Sequence, residues 1–455
     1  MPGARFELWK NRSMRFLLGA SSTILTGLIG ILRNKWFAHY LEASGIGILA
    51  QVVASQAWLG TAGGLGLGLP VARAVGAATA AGDLPGARRA FWAALTLLAI
   101  SGSAVLTLGL LFAGSISRAL LGTDAYTALI RISMVGVAGV ALHQMLFGLF
   151  AGRSDLKAPF AFALVGGSVS LTAAFFMVPR WGLKGAVLAA AVFFSAGCAG
   201  ALLVQRREYG PLMRPPAEPA VTPGLARSLL TVAGAGLLSA LIEQGTLLTL
   251  RSHYVRANGV EANGFLQAGI AISQQVGALF YAYLGSYAFG KISGVAGAEA
   301  TRDYTRKHWA PLLLLAALAL IATRLGAGTL LRLLYSHRFD PAQPLMAWAL
   351  LGEYGRIGLL TWALGALPLG GARLWFPISL VFPATLAVAY AAFATAGAGA
   401  LSLPKAYAAA GIAAACVGGA VMARRGVTLG ARDLLVFACG ATALLALAVA
   451  AGGAS

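Results

Sequence analysis

The chain has 455 residues, 59% of them hydrophobic and only 11% charged, with 34 Lys and Arg against 14 Asp and Glu. A mean hydropathy of +0.79 leaves too few polar side chains to coat soluble domains, so lipid is the expected solvent for most of the surface. The net charge of +20 does not point to nucleic acid, because the basic residues are scattered among loops and neither form a stripe nor interleave with aromatics.

A helix needs about 20 apolar residues to cross the ~30 Å hydrocarbon core. Thirteen stretches qualify, at 14–32, 45–69, 90–113, 128–150, 159–178, 184–204, 228–250, 264–288, 309–331, 345–369, 376–396, 404–422 and 434–451. The first is led by Arg5, Lys10 and Arg12 with Arg15 at its edge, but it is long, lacks a small-residue cleavage site and precedes further spans, so it reads as a membrane helix and not as a signal peptide.

In the second stretch Gly60, Gly64 and Gly68 recur four apart, which predicts close helix packing by small residues. The spacing is not that of a nucleotide loop, G-x-G-x-x-G after a strand. The fourth stretch holds His143 and Gln144, for which an interhelical hydrogen bond is the first expectation and cavity lining the second. Gln51 and Gln56 in the second stretch and Gln267, Gln274 and Gln275 in the eighth are predicted to face a shared polar lumen, where an amide that both donates and accepts suits sugar hydroxyls.

Four ionisable residues lie within apolar runs, namely Glu243, Arg324, Glu353 and Arg356, and each costs at least ~2.5 kcal/mol at a helix centre unless it finds a partner or water. Glu243 and Arg324 are expected about 20 Å along their helices. Glu353 and Arg356 are three apart on one helix, so a mutually neutralising pair is the alternative to a cavity role. Cys198, Cys416 and Cys439 fall in or at the ends of apolar runs without paired spacing and read as small core residues; no disulfide framework, metal or cofactor is expected.

With the N-terminus placed in the cytoplasm, 21 Arg and Lys fall on the cytoplasmic segments and 11 on the other side, with Arg324 and Arg356 inside spans. That asymmetry is the positive-inside pattern.

Sliding the sequence against itself by 218 positions pairs Gly27 with Gly245, Leu32-Arg33 with Leu250-Arg251, Ser55-Gln56 with Ser273-Gln274 and Arg73 with Lys291. The same register pairs Arg88-Arg89 with Arg306-Lys307, Pro159 with Pro377 and Arg206-Arg207 with Arg424-Arg425. Each copy holds six stretches, an even number, so the repeat is parallel. The predicted fold is therefore an all-α polytopic membrane bundle of two six-helix lobes, 1–204 and 228–422. A proline-rich extended cytoplasmic linker, 205–227, joins them, and the segment 423–455 carries a thirteenth helix. Two such lobes make a transporter plan, with substrate near the midplane and rocking between two openings, and no loop is long enough for a catalytic domain.

From Phe16 to about Leu98 the residues carry a resemblance: the opening helix ending Leu32-Arg33, then Gly45-Ile46-Gly47-Ile48-Leu49-Ala50-Gln51, Gly64-Leu65-Gly66-Leu67-Gly68-Leu69-Pro70-Val71-Ala72-Arg73 and Gly82-Asp83-Leu84-Pro85-Gly86-Ala87-Arg88-Arg89. In these the chain resembles the polysaccharide biosynthesis or oligosaccharide flippase family of the multidrug/oligosaccharidyl-lipid/polysaccharide (MOP) exporter superfamily. The resemblance implies a non-enzymatic carrier, monomeric and in the bacterial cytoplasmic membrane, that turns an undecaprenyl-diphosphate-linked glycan between leaflets, with membrane lipids and glycan-assembly enzymes as its other partners. It also implies twelve or fourteen spans, against thirteen counted in the sequence. Within this reading Arg324 and Arg356 bind the diphosphate, Gln51, Gln56, Gln274, Gln275 and Glu353 line the cavity, and Glu243 binds a coupling proton or cation. Two rivals remain: a cation-coupled multidrug exporter of the same superfamily, disfavoured because Phe16 to Leu32 holds no acidic residue, and a non-transporting scaffold for glycan assembly.

Overall fold

The computed structural model describes residues 3–153, 155–216, 219, 221–284 and 298–452, and among these there is helix but no β-strand. The helices are α1 (Gly3–Gly63), α2 (Gly68–Ala80), α3 (Leu84–Leu111), α4 (Ala113–Leu121), α5 (Thr127–Gly152), α6 (Lys157–Val204) and α7 (Arg206–Met213). They continue with α8 (Pro223–Tyr283), α9 (Ala298–Leu325), α10 (Ala327–Leu334), α11 (Ala342–Thr395), α12 (Ser402–Ala423) and α13 (Ala431–Gly452). Within hydrocarbon every backbone N–H and C=O must be satisfied internally, which leaves these long Ala- and Leu-rich runs no alternative to helix.

Four helices are too long for one crossing and break near their middles, α1 at Glu42, α6 at Gly182, α8 at Gly259 and α11 at Gly371. Divided there, they supply a helical segment for each of the thirteen predicted stretches, although residues 285–288 of the eighth lie outside the described residues. Nine helices among the described residues are apolar enough to cross a membrane by length and composition, α13 included.

Several edges differ from expectation. The second stretch ends at Gly63 and not at residue 69, because Leu65 (φ 50) and Gly66 (φ 62) adopt left-handed backbone that terminates a right-handed helix. Gly64 therefore lies in a turn and Gly68 opens α2, so the glycines do not share one helix face. Their packing role nonetheless holds: a Cβ on Gly60 would meet Val140 at 2.6 Å and one on Gly148 would meet Gly68 O at 2.0 Å, so α5 approaches this segment backbone to backbone. The ninth stretch ends at Leu325 and not at residue 331.

The linker, expected to be extended, contains α7. Its Pro215 and Pro216 come after that helix and Pro223 opens α8, positions where proline breaks no internal bond. Helix α7 is held by Tyr209, which donates to Asp155 Oδ2 at 2.7 Å, and by its Glu208 and Pro211 carbonyls, which accept from Arg153 at 2.8 Å and Arg88 at 3.1 Å. Lys291, the repeat partner of Arg73, lies outside the described residues.

The chain forms two compact units, Met1–Tyr40 with Gln51–Gln244, and Leu41–Ala50 with Gly245–Ser455. The core of the first is built from Val71, Val75, Phe91, Met145, Leu149, Phe150 and Phe162. That of the second centres on Tyr254, Leu266, Ile270, Leu345, Phe382, Leu386 and Tyr407. In the second unit α11 and α12 meet backbone to backbone, since a Cβ on Gly355 would lie 2.2 Å from Gly411 C. Helix α13 docks there through Phe437, which stacks on Tyr354 at 5.4 Å and tilts against Trp309 at 5.7 Å. Large apolar side chains such as Leu111, Phe112, Phe175, Leu315, Val388 and Leu435 point outward, as a lipid solvent requires.

Candidate functional site

A connected polar cluster within a span lies in the second unit. Glu353, fully buried, accepts from the hydroxyl of Tyr407 on α12 at 2.7 Å and from that of Tyr281 on α8. Gly277 makes the room, since a Cβ there would fall 2.2 Å from Glu353 Oε1. The same Tyr407 hydroxyl accepts from Arg356 Nη1 at 2.9 Å, and the Arg356 guanidinium lies 4.8 Å from the centre of the Phe382 ring. The predicted pair of Glu353 and Arg356 is thus linked through a tyrosine, which can donate to one and accept from the other at once.

Two further arginines, matched by the repeat, are sequestered within their units. Arg33, in the first arm of α1, donates to Ser170 Oγ at 3.0 Å, lies 5.8 Å from the Phe37 and Phe193 rings, and has a buried Nε with no hydrogen bond. Arg251, 5% exposed, donates to Asn263 Oδ1 at 3.2 Å and to Gln267 Oε1 at 2.7 Å. By hydropathy alone both fall in segments between spans. The signal was the matched pair Leu32-Arg33 and Leu250-Arg251, which recurs because the helices continue through it.

The other predicted residues are more dispersed. Arg324 stands in the last turn of α9, next to its end, with a buried Nε that has no hydrogen bond; it lies about 39 Å along from Ala298 and not 20. Glu243 is half-buried on α8, about 30 Å along from Pro223 and not 20. Its neighbour Gln244 belongs to a polar chain in which Gln144 donates to Thr61 at 2.9 Å and Thr61 reaches Gln244 Oε1 at 3.3 Å, the interhelical bond expected of Gln144. Gln51 and Gln56 are buried, at 0% and 1% exposure, while Gln274 and Gln275 are half-buried. His143 is boxed by Phe147, Phe162 and Phe194, with ring centroids 4.2, 4.4 and 5.2 Å away. Cys198 is buried as predicted, but Cys416 and Cys439 are exposed. Among the described residues no cluster of three or more His, Cys, Asp or Glu could hold a metal ion.

No protein-family model matches the chain. Among solved structures, the lipid II flippase MurJ in an inward closed conformation superposes with a TM-score of 0.70 at 11% identity, covering 96% of this chain and 98% of that one. An inward-facing multidrug resistance MATE transporter of the MOP superfamily superposes at 0.62, with 15% identity and coverages of 95% and 98%. The chain shares its fold with MurJ and with this MATE transporter. Among curated proteins the lipid III flippases of Escherichia coli (strain K12) and Shigella flexneri are each 26% identical over 398 residues, 85% of this chain and 92% of theirs. The likeness to these flippases thus runs well beyond the first hundred residues and covers most of the chain.

On this scaffold the buried groups divide by chemistry. Arg251 is held by neutral amide oxygens and Arg33 by a serine and rings, an environment that leaves positive charge available to an anion. Glu353 is held by neutral hydroxyls and, through Tyr407, by one guanidinium.

Proposed function

We propose that this protein moves a lipid-linked saccharide precursor from one leaflet of a membrane to the other by alternating access. The observation that carries the reading is its 26% identity to lipid III flippases over 92% of their length, joined to the fold it shares with MurJ. A diphosphate head cannot cross hydrocarbon unaccompanied, and this chain supplies buried guanidinium groups in both units. Arg324 and Arg356 are assigned to the diphosphate, and so are Arg33 and Arg251. Gln51, Gln56, Gln274, Gln275 and Glu353 are assigned to the polar cavity and Glu243 to a coupling ion.

The protein acts on its cargo without altering its bonds, in the bacterial cytoplasmic membrane, with the N-terminus and linker 205–227 cytoplasmic. The lobes 1–204 and 228–422 are the bodies that move in the cycle. The carrier lipid is undecaprenyl diphosphate or a relative.

The test is reconstitution in vesicles holding a fluorescent polyprenyl-diphosphate saccharide, with an impermeant quencher added outside. Flipping makes nearly all of the dye quenchable, whereas protein-free vesicles protect the inner half. Protection equal to that of empty vesicles, together with efflux of a lipophilic cation from the same protein, would transfer the reading to a multidrug exporter.

A further inference from the structure

Of the four places where a long helix breaks, three use glycine in left-handed backbone: Gly182 (φ 52, ψ −126), Gly259 (φ 88, ψ 165) and Gly371 (φ 55, ψ −144). The fourth uses Glu42, at φ 56 and ψ −171. A residue with a Cβ is rarely found there, because the region is essentially reserved for glycine. The turn at Gly259 is the nearest repeat counterpart of the turn at Glu42, so one shape is made with glycine in one half of the chain and with a strained glutamate in the other.

The segment beginning at this turn is held in three ways. The Glu42 carboxylate pairs with Arg338, in the 3-10 turn His337–Phe339. Gly47 O accepts from Asn263 Nδ2 at 2.7 Å, and Asn263 in turn accepts from Arg251. The backbones of Gly47 and Gly264 cross so closely that a Cβ on Gly47 would lie 1.9 Å from Val260 O and one on Gly264 would lie 1.8 Å from Ala43 O. These contacts place Leu41–Ala50 in the second unit, although the residues before and after it in sequence belong to the first.

We propose that Leu41–Ala50 is a releasable latch, docked on α8 and Arg338 and loaded by the backbone of Glu42, which undocks during the transport cycle. Strain in the docked state offsets part of the docking energy, and that brings docked and undocked states near balance; a glycine at 42 would hold the latch shut. The proposal rests on the alternating-access reading for its place in a transport cycle, but not for its mechanics.

The first measurement is backbone hydrogen exchange of the full-length protein in nanodiscs, read over 41–50 and 260–266. Glu42→Ala keeps the strain and loses the ion pair, Glu42→Gly loses both, and their difference reports the strain alone. The Gly variant is expected to exchange roughly tenfold more slowly than the Ala variant in both segments, and Arg338→Ala to exchange faster than the parent. Equal rates in the Gly and Ala variants would overturn the loading.

The second measurement replaces Cys198, Cys416 and Cys439 with Ala and bridges Glu42→Cys to Arg338→Cys with a reducible bis-thiosulfonate. Flipping is expected to stop when the bridge forms and to return on reduction, and full flipping with the bridge intact would overturn the latch. If the unbridged protein flips nothing while the exchange difference appears, the transport reading falls and the latch stands.

Discussion

Tyr407 donates its hydroxyl proton to the fully buried Glu353 at 2.7 Å, and it does so from a helix whose glycine contact with α11 fixes the separation. Tyr407→Phe would remove one donor to Glu353 and the acceptor of Arg356 while keeping the ring against Phe382. A loss of about 1–3 kcal/mol is expected, the cost of leaving buried polar groups unsatisfied. Thermal unfolding in detergent checks it, and Glu353→Gln, which removes the charge, should recover part of the loss in the Tyr407→Phe background.

The contact between α11 and α12 makes a second expectation. Gly411→Ala would push a methyl to within 2.2 Å of Gly352 O and should cost at least ~1–3 kcal/mol. Gly234→Ala, on α8 with nothing within 4 Å, should be neutral or stabilise by about 0.4–1 kcal/mol. Comparing the melting temperatures of the two variants separates packing from propensity.

Glycan export should fall in cells carrying Arg33→Ala, Arg251→Ala, Arg324→Ala or Arg356→Ala at matched membrane levels. The Lys versions should recover only part of it, because a point charge does not reproduce the forked bonds a guanidinium gives a phosphate. Full export by the Arg324→Ala, Arg356→Ala double variant would remove those two from the path of the cargo.

Glu243→Gln should abolish the dependence of flipping on an imposed ion gradient. An unchanged dependence, measured in the same vesicles, would take Glu243 out of coupling.

A reporter placed within 205–227 should be active only as a cytoplasmic probe, given the excess of Arg and Lys on that side. Activity of an external reporter at the same site would invert the topology.

The spans were legible because an apolar run of the right length has one stable form in lipid. Arg33 and Arg251 were misplaced for the same reason: one guanidinium near the end of a run lowers local hydropathy, yet the helix continues and pairs the charge with Ser170 or with Asn263 and Gln267. The break after Gly63 was missed because Gly64-Leu65-Gly66-Leu67-Gly68 is apolar throughout, and hydropathy carries no information on the sign of φ. The partners of Glu353 could not be read at all, since which faces of α8 and α12 turn towards α11 depends on where Gly277, Gly355 and Gly411 let the backbones approach.

The interleaving of the two units has a consequence for the order in which they are made. The first unit includes Pro223–Gln244 and the second includes Leu41–Ala50, so a ribosome that has released only the first six spans has not yet supplied everything its first unit needs. Leu41–Ala50 enters the membrane before Asn263 and Arg338 exist, and during that interval Glu42 has no Arg338 to meet and no docked backbone to hold its unfavourable turn. Assembly therefore closes backwards, with late residues capturing an early segment. A chain arrested between the two should keep Leu41–Ala50 open to exchange.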